Sequence, residues 1–189
     1  MTLISCHAKT GFANCYVVGP DGGGPAAIID PGHFDTSLLA RIERARLEIV
    51  AVLLTHSHRA HCGGTGTVLS VYRARVYGHG GGGRIRVDQA LRDGHRVAVG
   101  TLEFQVSELP GHAADSLAFR VGDLLFTGDA LLAGEIGSTL TVAARTTLVT
   151  AIRERVLILP DRVTILPGHG PPTTVRAERA FNDALRPRR

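Results

Sequence analysis

Thr55-His56-Ser57-His58-Arg59-Ala60-His61 sets three imidazoles within six residues, directly after the apolar run Ile49 to Leu54. Neutral imidazole is the commonest protein ligand for zinc and also serves iron. Residues two apart on a helix do not share a face. His56 and His58 therefore reach one ion only from a loop or turn. A strand that roots such a loop holds its ligands in place. The pair Gly63-Gly64 that follows is suited to open a helix. A strand running into a histidine-rich loop points to a metal centre.

Further blocks of the same kind lie along the chain. Pro110-Gly111-His112, Phe126-Thr127-Gly128-Asp129 and Pro167-Gly168-His169-Gly170 each sit in a Gly-containing loop or just past an apolar run. Asn14-Cys15-Tyr16-Val17-Val18 and Ile28-Ile29-Asp30-Pro31-Gly32 read as strands, the second ending in a turn. Five of the nine histidines fall in these blocks.

Taken in order, the blocks resemble the metallo-β-lactamase superfamily, whose signature is Thr-His-x-His-x-Asp-His, and among its branches the short glyoxalase II-like hydrolases. The resemblance spans essentially the whole chain. It implies an αβ/βα four-layer sandwich, where periodicity alone gives only α+β. It implies a first metal site on His56, His58 and His112. A second site would use His61 and His169, with Asp129 bridging the two ions. One position departs from the pattern: Ala60 stands where the family has a metal-binding Asp. The second site then keeps two histidines and one carboxylate and should hold its ion more weakly. The family chemistry is attack by a metal-bound hydroxide on a carbonyl, with His112 and Asp129 as candidate catalytic residues; zinc is the expected metal and iron the alternative.

Other residues have competing readings. Asp30 is expected to hold the histidine loop from behind; the alternative is a plain strand-end turn residue. Cys62 is expected to pack inward rather than ligate. His33 is a candidate for the pocket border, and His7, His79 and His95 are expected at the surface. Asp115 and Glu135 are candidates to replace the lost carboxylate, and spacing selects neither.

The elements that must position these residues can be read in outline. Strands are expected at Thr2 to Cys6, Asn14 to Val18, Ala26 to Asp30, Ile49 to Leu54 and Arg75 to Tyr77. Hairpins are expected at 96–109, turning at Gly100, and at 116–127, turning at Gly122-Asp123; a last buried strand covers Val163 to Leu166. Helices are expected at Asp35 to Leu47 with Asp35 as cap, Gly64 to Arg73, Thr141 to Leu157 and Val175 to Leu185. Gly80 to Gly83 lacks the Lys-Ser/Thr sequel of a phosphate loop and reads as a flexible connection.

At 189 residues the chain is expected to form one domain, 1–189. Net charge is +4, and Lys9 is the sole lysine. The arginines are scattered apart from the tail Arg186-Pro187-Arg188-Arg189, with no aromatic interleaving of the kind that stacks on bases, so no nucleic-acid partner is expected. The expected partner is a small-molecule substrate. Three cysteines, Cys6, Cys15 and Cys62, form no Cys-x-x-Cys pair and suit a reducing compartment. No signal peptide, membrane association or membrane span is expected, which makes the cytoplasm the default location. The chain is also expected to lack the C-terminal helical domain with which full glyoxalase II enzymes bind glutathione.

Three functions remain open on this reading. One is a metal-dependent hydrolase of thioesters or related esters. Another is a mononuclear iron oxygenase like the persulfide dioxygenases that share this fold, its iron on His56, His112 and Asp129. The third is a family member that keeps the fold and has lost turnover.

Overall fold

The computed structural model describes residues 1–6, 11, 13–80 and 85–186. The expectations for His7, for Gly81 to Gly83 and for the tail 187–189 lie outside the described residues. The first sheet has strand order β1 (Thr2–Cys6), β2 (Cys15–Gly19), β3 (Gly24–Ile29), β4 (Leu47–Leu53), β5 (Arg75–Gly78) and β6 (Gln89–Ala90). The second sheet takes β7 (Arg96–Val99), β8 (Leu102–Glu108), β9 (Leu117–Val121) and β10 (Leu124–Gly128). After a small hairpin of β11 (Leu131–Leu132) and β12 (Glu135–Ile136), it adds β13 (Thr164–Pro167) and β14 (Thr173–Thr174). Its order is β14-β13-β10-β9-β8-β7.

Alternation along the strands divides the core into layers. Val18, Ile29 and Leu53 face inward between the sheets, against Phe104, Phe119 and Phe126. Their neighbours Val17, Ile28 and Val52 face outward, under α1 (Thr36–Arg44) and beside α3 (Thr65–Val71). The outer face of the second sheet, with Ala118, Leu125 and Ile165, is covered by Leu148 and Ile152 of α4 (Val142–Arg155) and Val175 of α5 (Val175–Phe181). The result is the expected αβ/βα four-layer sandwich. Each fully buried Phe of the inner layer contributes about 1.5–3 kcal/mol of transfer free energy.

Helix boundaries follow local chemistry. Asp35 caps α1 as expected, its Oδ1 accepting from the Leu38 N–H at 2.9 Å. The helix stops short of Leu47 because Arg46 takes a left-handed conformation, φ 56°, and Leu47 opens β4 instead. Thr141 and Thr174 cap α4 and α5 through their hydroxyls. The closing helix ends at Phe181, earlier than Leu185, because Asn182 is extended. Leu185 stays buried all the same. Among the described residues, no helix is long and apolar enough to cross a membrane.

The strand directions decide where the chemistry collects. β3 and β4 are parallel, as are β10 and β13, and β8 runs with β10 because each is antiparallel to β9. The segments carrying Asp30, His56, His112, Asp129 and His169 all leave the C-terminal ends of these strands. The two sheets are joined at that rim: the Leu117 N–H donates to the Thr55 carbonyl at 2.7 Å, and the Asn14 N–H to the Gly168 carbonyl at 2.7 Å.

Candidate metal centre

The loop after β4 is held from behind by Asp30. Its Oδ1 accepts from the Thr55 N–H at 2.8 Å. Its Oδ2 accepts from the Thr55 hydroxyl at 2.6 Å and from His61 Nδ1 at 2.8 Å. Asp30 is buried and left-handed, φ 50°. This is the supporting role expected for it, with strain at one residue offset by three hydrogen bonds.

These partners fix the histidine tautomers. The Thr55 hydroxyl spends its proton on Asp30, so its oxygen accepts from His56 Nδ1 at 3.1 Å. His112 Nδ1 meets the Ser138 carbonyl at 2.9 Å, and a carbonyl only accepts. His61 Nδ1 donates to Asp30 in the same way. Each of the three rings therefore turns its Nε2 inward. His56 Nε2 and His112 Nε2 lie 3.0 and 3.2 Å from His58 Nδ1. One nitrogen cannot donate fully to both.

Burial, and then neighbouring histidines, lower the pKa of His56 to about 3; the same two causes lower that of His58. Both rings stay neutral at ordinary pH. Imidazole nitrogens crowded on one point, with too few protons to bond them all to one another, match the donor set of a divalent cation.

A second group adjoins the first. His61 Nε2 is buried and makes no hydrogen bond among the described residues, and it faces Asp129 Oδ2 at 3.2 Å. Asp129 Oδ2 is also 3.8 Å from His112 Nε2, and Oδ1 is 2.8 Å from His169 Nδ1. The carboxylate thus stands between the two sets, and despite its burial these histidines hold its pKa well below the usual range. Ligand atoms of His56, His58 and His112 lie within 4.8 Å of one another, as do those of His56, His61 and Asp129. His169 is 44% exposed and joins through Asp129 Oδ1. Gly168 makes this approach possible, since a Cβ there would collide with Asp129 and His61.

Residue 60 lies on the short helix α2 (Arg59–Cys62). Cys62 packs inward as expected, its Sγ donating to the Ser57 carbonyl at 3.4 Å. His33 is half-exposed beside Asp35, at 3.6 Å. Glu135 is exposed on β12, and His95 is exposed. The surface expectation for His79 needs correcting: β5 carries it to the wall of a small cavity shared with His56, Ser57 and Asp115, and its Nδ1 is buried without a hydrogen-bond partner among the described residues. Asp115 does not line up as a spare ligand. Its Oδ2 accepts from the Ser57 N–H at 3.0 Å, tying the loop that follows His112 to the peptide between His56 and His58.

Asp115→Ala should therefore weaken metal binding by roughly 10–100-fold, the usual cost of losing an outer partner, while Asp115→Asn, which keeps an acceptor oxygen, recovers most of it. Titration against a chelator checks this; unchanged affinity in the alanine variant would remove Asp115 from the support.

The geometry can now be set beside known proteins. The family description of the metallo-beta-lactamase superfamily matches residues 8–169. The chain belongs to that superfamily. It is 30% identical to "Hydroxyacylglutathione hydrolase GloC" of Haemophilus influenzae, over 91% of this chain and 92% of that protein. The solved structure of the BLEG-1 B3 metallo-beta-lactamase superposes with TM-score 0.86 at 29% identity, covering 97% of this chain and 99% of that one. ETHE1 from Myxococcus xanthus superposes with TM-score 0.84 at 28% identity, covering 97% and 84%. The superfamily binds metal and consists in general of hydrolases.

Metal binding should also be visible as proton release. Burial works against a charged His61, but Asp30 and Asp129 outweigh it and push its pKa up to about 9 from 6.5. In the metal-free protein this imidazolium adds stability that is complete below about pH 6.5 and lost as pH rises through about 9. A ligand nitrogen must be bare. His56 and His58 should thus give up almost no proton to an ion at about pH 7, whereas binding at His61 should release about one, fading above about pH 9. Calorimetry in buffers of different ionisation enthalpy measures this; equal release at both steps would contradict it.

Proposed function

We propose that this chain is a metal-dependent hydrolase of thioesters or related esters, glyoxalase II-like, with zinc as its metal. His56, His58 and His112 would hold one ion; His61, Asp129 and His169 would hold a second, more weakly because residue 60 is Ala. The observation that carries the reading is the convergence of three imidazole nitrogens, of His56, His58 and His112, beside a carboxylate that also reaches His61. A divalent ion bound there supplies Lewis acidity toward a carbonyl oxygen and lowers the pKa of bound water to about 7. The chain's own residues keep His56 and His58 neutral, orient the ligand rings through Thr55, Asp30 and Ser138, and place Asp129 where it can accept a proton or orient a water. The likeness to GloC supports the substrate class.

A second reading is supported by the likeness to ETHE1 and by the change at residue 60. A single iron on His56, His112 and Asp129, as in an oxygenase acting on persulfides, would not use that position. The experiment is elemental analysis of protein purified without added metal, followed by assays on an S-acylglutathione thioester and on glutathione persulfide. Zinc with thioester turnover is the expected result. Iron with persulfide oxidation would replace the first reading by the second, and metal without turnover on either substrate would point to a family member that has lost its activity.

A further inference from the structure

β1 and β2 set Cys6 directly opposite Cys15. Both side chains lie on the face turned to α1: Cys15 is part of the apolar layer beneath that helix, and Cys6 packs at its edge. Directly opposed residues of an antiparallel pair have Cα atoms about 4.5 or 5.5 Å apart. Both spacings fall within the range a disulfide spans, roughly 4.4–6.8 Å.

The two thiols are not equivalent. Arg41 of α1 donates from Nη1 to Cys6 Sγ at 3.1 Å and to the Ser5 carbonyl at 2.9 Å. A guanidinium at that sulfur stabilises its thiolate. Cys6 is half-buried, whereas Cys15 is buried. Burial, with the nearby Cys6 acting in the same direction, pushes the Cys15 thiol well up. One cysteine is thus set up to attack and the other to resolve. Cys62, buried in the same apolar layer, donates its thiol to the Ser57 carbonyl and has no place opposite either cysteine in the β1–β2 register, so it serves as an internal control.

We propose that Cys6 and Cys15 form a reversible thiol–disulfide site for small disulfides of the glutathione class. The Cys6 thiolate attacks one sulfur of glutathione disulfide, forming a mixed disulfide and releasing one glutathione thiolate. Cys15 then gives up its proton and attacks the Cys6 sulfur, closing Cys6–Cys15 and releasing the second glutathione. Two protein thiols are oxidised, and one disulfide is reduced to two thiols. The site is tied to one loop of the metal centre through the neighbours of Cys15. Next to Cys15, the Asn14 side chain donates to the carbonyls of Pro167 at 3.1 Å and Gly170 at 2.9 Å, and the Tyr16 hydroxyl donates to Pro167 at 2.7 Å. The crosslink therefore clamps the strand pair that grips the His169 loop. This holds under either reading of the metal chemistry.

The test incubates the full chain in glutathione buffers of increasing oxidising poise, then alkylates and maps the peptides. Wild type should lose two hydrogens, yield a Cys6–Cys15 linked peptide and leave Cys62 alkylated. Its metal-free form should melt at higher temperature when oxidised, and a dithiol should reverse the change. Cys15→Ala should stop at the glutathione mixed disulfide on Cys6, and Cys6→Ser should form neither product. Arg41→Ala should react several-fold more slowly. The proposal is overturned if Cys15 remains fully alkylated at every poise, or if wild type itself stops at the mixed disulfide.

Discussion

His112→Ala abolishes tight metal binding and turnover, while His95→Ala leaves both unchanged. This is the expected result of comparing a ring that completes a ligand set with one that is exposed. His112 Nε2 is 3.2 Å from His58 Nδ1 and 3.8 Å from Asp129 Oδ2, so it belongs to the first cluster and borders the second. Its Nδ1 is committed to the Ser138 carbonyl, which leaves Nε2 facing the cluster. Removing it reduces three nitrogens to two. The loss should exceed the roughly 10–100-fold that removal of an outer partner costs. Competition with a chelator of known affinity gives the number, and cobalt spectra would report the changed geometry. If His112→Ala kept affinity within a few-fold of wild type, or if His95→Ala matched its loss, the cluster described here would not be the metal site.

Much of this site can be read in the chain without coordinates, because its parts are local. A strand followed at once by histidines, or by Gly-Asp or Gly-His, is a pattern of neighbours in sequence, and the fold brings the ends of those strands to one rim. The support for Asp30 followed from the same kind of signal. What stayed hidden was created by tertiary pairing. The Asp115 to Ser57 bond joins residues 58 apart, and Ser138 gives His112 its partner through a backbone carbonyl, which has no sequence signature. The strands β6, β11, β12 and β14 are two residues each, too short to show any period. A lone histidine after a four-residue strand says nothing about which wall it joins, so the sequence does not place His79 at the cavity. The early end of α1 depends on the left-handed Arg46, a conformation that an arginine does not advertise.

Ala60, at the position where the superfamily signature Thr-His-x-His-x-Asp-His has Asp, gives the prediction of widest consequence. The backbone there is fixed on two sides: the Ala60 carbonyl accepts from the Ala13 N–H at 3.1 Å, and Gly32 lies so close that any Cβ on it would collide with that carbonyl. The position also precedes His61, whose Nε2 faces Asp129. Ala60→Asp therefore adds a carboxylate to a held backbone beside a histidine already oriented by Asp30. Under the hydrolase proposal this restores a ligand to the second set, so the second ion should bind more tightly and thioester hydrolysis should rise with it. A well-placed carboxylate on a divalent ion and a better-oriented water are worth a few kcal/mol, or on the order of 100-fold in rate. Under the iron reading, persulfide oxidation stays near its starting level, since His56, His112 and Asp129 are untouched. The measurement is metal stoichiometry together with rates on a thioester and on glutathione persulfide, for both forms of the protein. If Ala60→Asp takes up a second ion and still hydrolyses no thioester, ester or lactone, then residue 60 is not what limits the chemistry, and the hydrolase proposal fails.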